Sequence, residues 1–160
     1  MSIRPADFQD PAVIRRALSH KTVAIVGLSS NDLRASNFVG RYLSRHGYTV
    51  YPVNPMEEEI LGFTSYSTLS DIPEPVFTVD VFRHPDAVPA IAEEAVSIGA
   101  GCLWLQYGII NEQGIQTALS GGMDVVVDRC FKVEHARWHG RMHWLGFNTG
   151  RITAQRLRVE

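Results

Sequence analysis

Five short apolar runs recur along this chain, each too short for a helix and each stopped by polar, prolyl or glycyl residues. They cover residues 22–26, 47–51, 76–82, 102–105 and 124–127. β-Branched residues are frequent in them, as expected of buried strands. Helical patterns fill the gaps. Asp10-Pro11 reads as N-cap and first residue of a helix reaching Ser19, and a second helix is expected from an N-cap near Ser36 to Gly47. Apolar spacing predicts helices over 86–98 and 111–119, each closed by glycines. Residues 57–60 suggest a helical turn and 61–66 an irregular or short extended piece. Strands alternating with helices at this spacing predict an α/β fold: a Rossmann-like, doubly wound, parallel five-stranded sheet in three layers. Right-handed crossovers favour an order such as 3-2-1-4-5.

In such a sheet ligands bind outside the carboxyl ends of the strands. That rule selects five segments distant in sequence: 27–34, 52–55, 82–85, 106–108 and 128–130. The first has the layout of a phosphate site, with a strand, Gly27, a polar loop (Ser29, Ser30, Asn31, Asp32) and a helix start. Against the dinucleotide fingerprint G-x-G-x-x-G it keeps only Gly27, with Ser29 and Asp32 at the other two glycine positions. Serine hydroxyls can still donate to phosphate oxygens. An ordinary βα loop would read the same way.

A chain of 160 residues, 45% hydrophobic and 20% charged, fits one soluble globular domain. A net charge of −2 argues against general binding to nucleic acid or membrane surfaces. No run reaches the length of a membrane span, and the first residues carry no apolar signal segment. Two cysteines, Cys102 and Cys130, make neither a disulfide framework nor a zinc pattern, so a cytoplasmic location is expected. An NAD site wants a carboxylate at the end of the second strand; here Val53-Asn54-Pro55 stands there, and no acid occurs before Glu57. A phosphorylated ribose could still be met by Arg34, Arg41 or Arg45, each of which also reads as a solvated surface charge.

Residues 27–55, followed by EILGFTSYSTLSDIP, VDVFRHPDAVP, LWLQYGIINEQG and VVVDRCFKVEH, resemble the small CoA-binding proteins. These are single-domain relatives of the CoA-binding domain of the succinyl-CoA synthetase α subunit, and the resemblance covers about residues 15–136. It implies that Gly27, Ser29, Ser30, Asn31 and Arg34, with Ser36, line the site of the CoA diphosphate. Val53, Asn54 and Pro55 would flank the adenosine, and Phe82, Arg83, Gln106, Tyr107 and Gly108 would border the pantetheine. The synthetase keeps its phosphorylated histidine on a separate domain, for which this chain has no room; ligase activity by this polypeptide alone is not expected.

Cys130 follows Asp128-Arg129 on the ligand side. A neighbouring cation and helix-terminal N–H groups would lower its thiol pKa and permit a mixed disulfide with CoA; a small buried residue ending a strand is the plainer alternative. His135, His139 and His143 recur every four residues, but such spacing rarely converges on one metal, and no metal site is expected. Asp80 and Asp128 could serve as bases or cap loops, His20 and His84 have no nucleophile beside them, and Cys102 reads as core. No catalytic triad or phosphate-loop lysine is present. Residues 1–135 form the expected CoA-binding domain. Residues 136–160, with aromatics and several arginines, are a C-terminal arm packing on that domain, a partner or a second copy. The leading expectation is a CoA or acyl-CoA binding protein without catalysis of its own. The alternatives are an NADP-dependent oxidoreductase, or a regulatory or scaffold subunit for which CoA is the signal.

Overall fold

A computed structural model describes residues 2–139. Its first helix, α1 (Pro11–Ser19), starts as expected: the Asp10 carboxylate accepts the Ala12 N–H at 2.8 Å and Pro11 supplies the preset first φ. β1 (Thr22–Val26), α2 (Ala35–Arg45), β2 (Thr49–Val53), a small hairpin of β3 (Glu59–Ile60) and β4 (Phe63–Thr64), and β5 (Thr78–Val81) follow. Then come α3 (Val88–Ser97), β6 (Cys102–Leu105), α4 (Glu112–Ser120), β7 (Asp124–Val127) and α5 (Phe131–His139).

Five strands form one parallel sheet in the order β2-β1-β5-β6-β7. The α/β, three-layered, Rossmann-like fold is therefore as expected, but the strand order differs: the third strand of the sheet lies beside β1 rather than outside β2. Pro52 supplies a physical reason. Thr49 donates to Lys21 O at 2.7 Å and Val53 O accepts from Gly27 at 2.9 Å, so the odd residues of β2 face β1 and Pro52 faces outward. An outer strand would need the N–H that proline lacks. Instead Pro52 O and the Asn54 N–H both pair with Tyr66, at 2.9 Å each, which closes that edge. For the same reason β2 runs through Pro52 to Val53 rather than stopping at Tyr51.

Residues 57–60 do not form a helical turn. The chain folds back at Leu61 and Gly62, both at positive φ (57° and 81°), into the β3–β4 hairpin.

Alternating strand residues face two cores. Ala24, Val79, Leu103 and Val125 pack with α3 and α4 on one side; Val23, Ile25, Trp104 and Val126 pack with α1, α2 and α5 on the other. Phe131 anchors α5, its ring 4.8 Å from Trp104 and 5.5 Å from Tyr48. Arg15 stacks over Trp138 at 5.0 Å, tying the last turn of α5 to α1. On the opposite face α3 and α4 touch closely, because a Cβ on Gly114 would lie 2.4 Å from a Val88 methyl. α5 runs without interruption across residues 135 and 136, and His143 lies outside the described residues.

Candidate functional site

β1 ends where the backbone turns sharply. Gly27 adopts φ +91°, and a Cβ there would lie 2.9 Å from Phe82 O and 3.0 Å from Arg83 Cδ. Glycine is needed on both counts. The loop after β1 thus rests directly on the segment after β5.

Beyond Gly27 the loop is held by the first turn of α2. Ser36 Oγ accepts the Ser29 N–H at 3.1 Å, and Asn37 Nδ2 donates to Ser29 O at 2.8 Å. Ser36 is consequently inside α2, not its N-cap; Arg34 takes that position without a side-chain cap bond. The helical ladder begins with Asn37 and Phe38 donating to Arg34 O at 3.1 and 3.3 Å. The Ala35 and Ser36 amides precede that ladder, at the positive end of the helix dipole. Both residues line a concavity of about 300 Å3, together with Gly27, Ser29, Arg34 and Phe82.

Two expected residues are turned elsewhere. The Ser30 N–H meets Glu57 Oε2 at 3.3 Å and its hydroxyl meets the other oxygen of the same carboxylate. Asn31 is spent on local turns, its N–H on Ser29 Oγ at 3.1 Å and its Oδ1 on the Leu33 N–H at 3.0 Å. Neither lines the concavity.

A second concavity, of about 230 Å3, opens on the α3 side, lined by Val53, Pro55, Thr68, Arg83, Ile91 and Glu94 among others. Asn54 organises its edge rather than lining it. Asn54 Oδ1 accepts the Met56 N–H at 2.9 Å, while Nδ2 donates to Leu28 O at 3.1 Å, so the turns after β1 and β2 are stitched together. Arg83 touches both regions, with its stem against Gly27 and its side chain lining the second concavity.

At the ends of β6 and β7 the chain folds upon itself. Gln106 is only 4% exposed and gives its Nε2 to Asp80 Oδ1 at 2.6 Å, so it faces inward rather than toward a ligand. The reason is Asp80, fully buried in the middle strand of the sheet. Burial pushes its carboxyl up to about 8, the Gln106 bond opposing, and Oδ2 has no partner. The Gly108 N–H donates to Asp128 Oδ1 at 2.8 Å, with Gly108 at φ +75° and Asp128 at φ +58°. Tyr107 stays 40% exposed, and burial of the rest of its ring pushes its hydroxyl up to about 12.

Cys130 matches the plainer of its two readings, a small buried residue, and not the activated thiol. Burial pushes the thiol up to about 11, and the Val133 and Lys132 amides offset this only in part. Arg129 extends to Glu134 at 3.5 Å instead. Cys102 is likewise buried and free.

His20 stacks on Phe77 at 3.6 Å, and His84 Nδ1 accepts the Asp86 N–H at 3.2 Å. His135 bonds Tyr42 through Nδ1 at 2.9 Å, and burial, with His139, Lys21 and His46 nearby, holds it down to about 4. Among the described residues no group of three or more His, Cys, Asp or Glu could hold a metal ion, and no helix is long and apolar enough to cross a membrane.

Among the residues lining the two concavities, sequence reasoning missed Ala35, Thr68, Ile91 and Glu94, and it also missed the contact of Glu57 with Ser30. The Asn54-x-x-Glu57 turn is the one available signal for that contact, since Asn favours such side-chain-capped turns.

Comparison with known proteins agrees with this architecture. A protein of Bacillus subtilis (strain 168), YneT, is 39% identical over 116 residues, covering 72% of this chain and 86% of that protein. The ADP-forming acetate–CoA ligase I of Archaeoglobus fulgidus is 34% identical over 96 residues, but this chain spans only 14% of its length. A solved structure from Pyrococcus horikoshii OT3 superposes with a TM-score of 0.80 at 38% identity, over 86% of this chain and 97% of that one. The CoA binding domain family model matches residues 21–136. With two concavities at the carboxyl edge of a parallel sheet and this match over most of its length, the chain belongs to the CoA binding domain family.

Proposed function

We propose that this protein binds CoA or an acyl-CoA across the two concavities. The observation that carries the reading is their adjacency: Gly27, which lines one concavity, packs against the stem of Arg83, which lines the other. The α3-side concavity, with Val53, Pro55 and Ile91 as apolar walls and Thr68 and Glu94 as polar ones, suits an adenine ring and its ribose. The diphosphate would lie against the Ala35 and Ser36 amides, the Ser36 hydroxyl and Arg34, a donor set matched to an anion. Pantetheine would pass Phe82 toward Tyr107. Buried Gln106 and Cys130 are not available to it, so no disulfide with CoA is proposed. The donors bind and orient the nucleotide.

Native mass spectrometry of the purified protein, followed by denaturation and identification of what is released, tests the reading. The expected result is CoA or an acyl-CoA at one per chain, or tight uptake of added CoA. An empty protein that takes up no added CoA overturns it.

A further inference from the structure

The Glu57 carboxylate ends a turn that starts at Asn54 and folds back over the loop after β1. It takes the Ser30 N–H at 3.3 Å, the Ser30 hydroxyl, and Asn54 Nδ2 at 3.4 Å. Among the described residues no lysine or arginine forms an ion pair with it. A carboxylate can accept about four hydrogen bonds, and these three donors leave room for one more. It can take a hydroxyl; it repels a phosphate.

Glu57 lines neither concavity itself, so its link to a ligand rests on its place in the sheet. Glu57 joins the turns at the carboxyl ends of adjacent strands β1 and β2. In doubly wound folds an acid at this junction hydrogen-bonds the 2′-hydroxyl of an adenosine ribose, whereas a 2′-phosphate is accommodated by a nearby arginine. The acid that looks missing from the end of β2 in sequence is thus returned by the turn, four residues late.

We infer that Glu57 is a specificity-determining residue, which accepts a free ribose 2′-hydroxyl and excludes ligands bearing a 2′-phosphate. The inference rests on the proposed nucleotide site and narrows it. CoA, phosphorylated at the 3′ position with its 2′-hydroxyl free, meets the requirement; NADP, phosphorylated at 2′, does not. The same carboxylate therefore weighs against an NADP-dependent activity.

Adenosine 3′,5′-bisphosphate and adenosine 2′,5′-bisphosphate carry equal charge and differ only in where the second phosphate sits. Calorimetric titration of both into the wild-type protein should show the 3′,5′ isomer binding at least tenfold more tightly. In Glu57→Gln, and in Glu57→Ala as a second variant, the ratio should fall to threefold or less through tighter binding of the 2′,5′ isomer. Equal affinities in the wild type, or an unchanged ratio in both variants, overturns the inference while CoA binding stands. If CoA and both isomers fail to bind, the inference falls together with the proposed function.

Discussion

The turns after β1 and after β6 leave the same edge of one sheet and are equally rich in polar residues, yet they use those residues oppositely. After β1 the loop is clamped by Ser36 and Asn37, and the residues at the start of α2 line a concavity. After β6 the polar groups are consumed internally: Gln106 goes to Asp80 and the Gly108 N–H goes to Asp128, while Cys130, after β7, is buried. A polar residue at a strand's carboxyl end therefore belongs to a binding site only if its neighbours leave its hydrogen-bonding capacity unused.

The comparison can be broken most sharply at Asp80. Its folded carboxyl is raised to about 8, above the ordinary value of 3.8, so the folded protein holds a proton that the unfolded chain releases. Its contribution to stability is fully present below pH 3.8 and is lost as pH rises toward 8. Asp80→Asn keeps an oxygen for Gln106 and cannot ionise. Relative to wild type it should gain on the order of a few kcal/mol between pH 4 and pH 8, read from urea unfolding, with CoA affinity unchanged. A loss of CoA affinity would place this buried pair in the site.

Gly27→Ala should act on both counts. The added Cβ meets the Phe82 carbonyl at an unfavourable φ, and we expect a loss of ~2–3 kcal/mol in stability with weaker CoA binding. A variant as stable as wild type would mean that the two turns do not press together as described.

The smallest effect should come from Arg34→Ala, which removes one exposed guanidinium from the anion concavity. We expect CoA affinity to fall by roughly 1–3 kcal/mol while the melting temperature stays within a degree or two. Gln106→Leu is the natural counterpart, expected to lower stability and leave affinity alone. If the two variants exchange these effects, the open and closed turns have been assigned the wrong way round.

Much of this architecture is legible in sequence, and the failures have local causes. β1, β6 and β7 are legible to the residue because their apolar runs are cleanly bounded, and those of β1 and β7 are also rich in β-branched residues. The end of β2 is not, because Pro52 reads as a terminator until its outward orientation is known. The hairpin hides behind two-residue strands and a turn with Leu61, not only glycine, at positive φ. In the site, Gly27, Ser29, Arg34, Ser36 and Phe82 do come together around one concavity, and Val53, Pro55 and Arg83 line the other. The inward turn of Gln106 could not be read, since its partner lies 26 residues away on a neighbouring strand. For Cys130 the buried reading holds and the activation that adjacency to Arg129 suggested does not: burial dominates and Arg129 pairs with Glu134.

The most direct test is an amide NMR titration of the full chain with CoA. The account predicts the largest shifts at the Ala35 and Ser36 N–H groups, with further changes around Thr68 and Ile91, and little change at Gly108 and Cys130. Large shifts at Gly108 and Cys130 with none at Ala35 and Ser36 would contradict it, placing the ligand on the turn described here as closed.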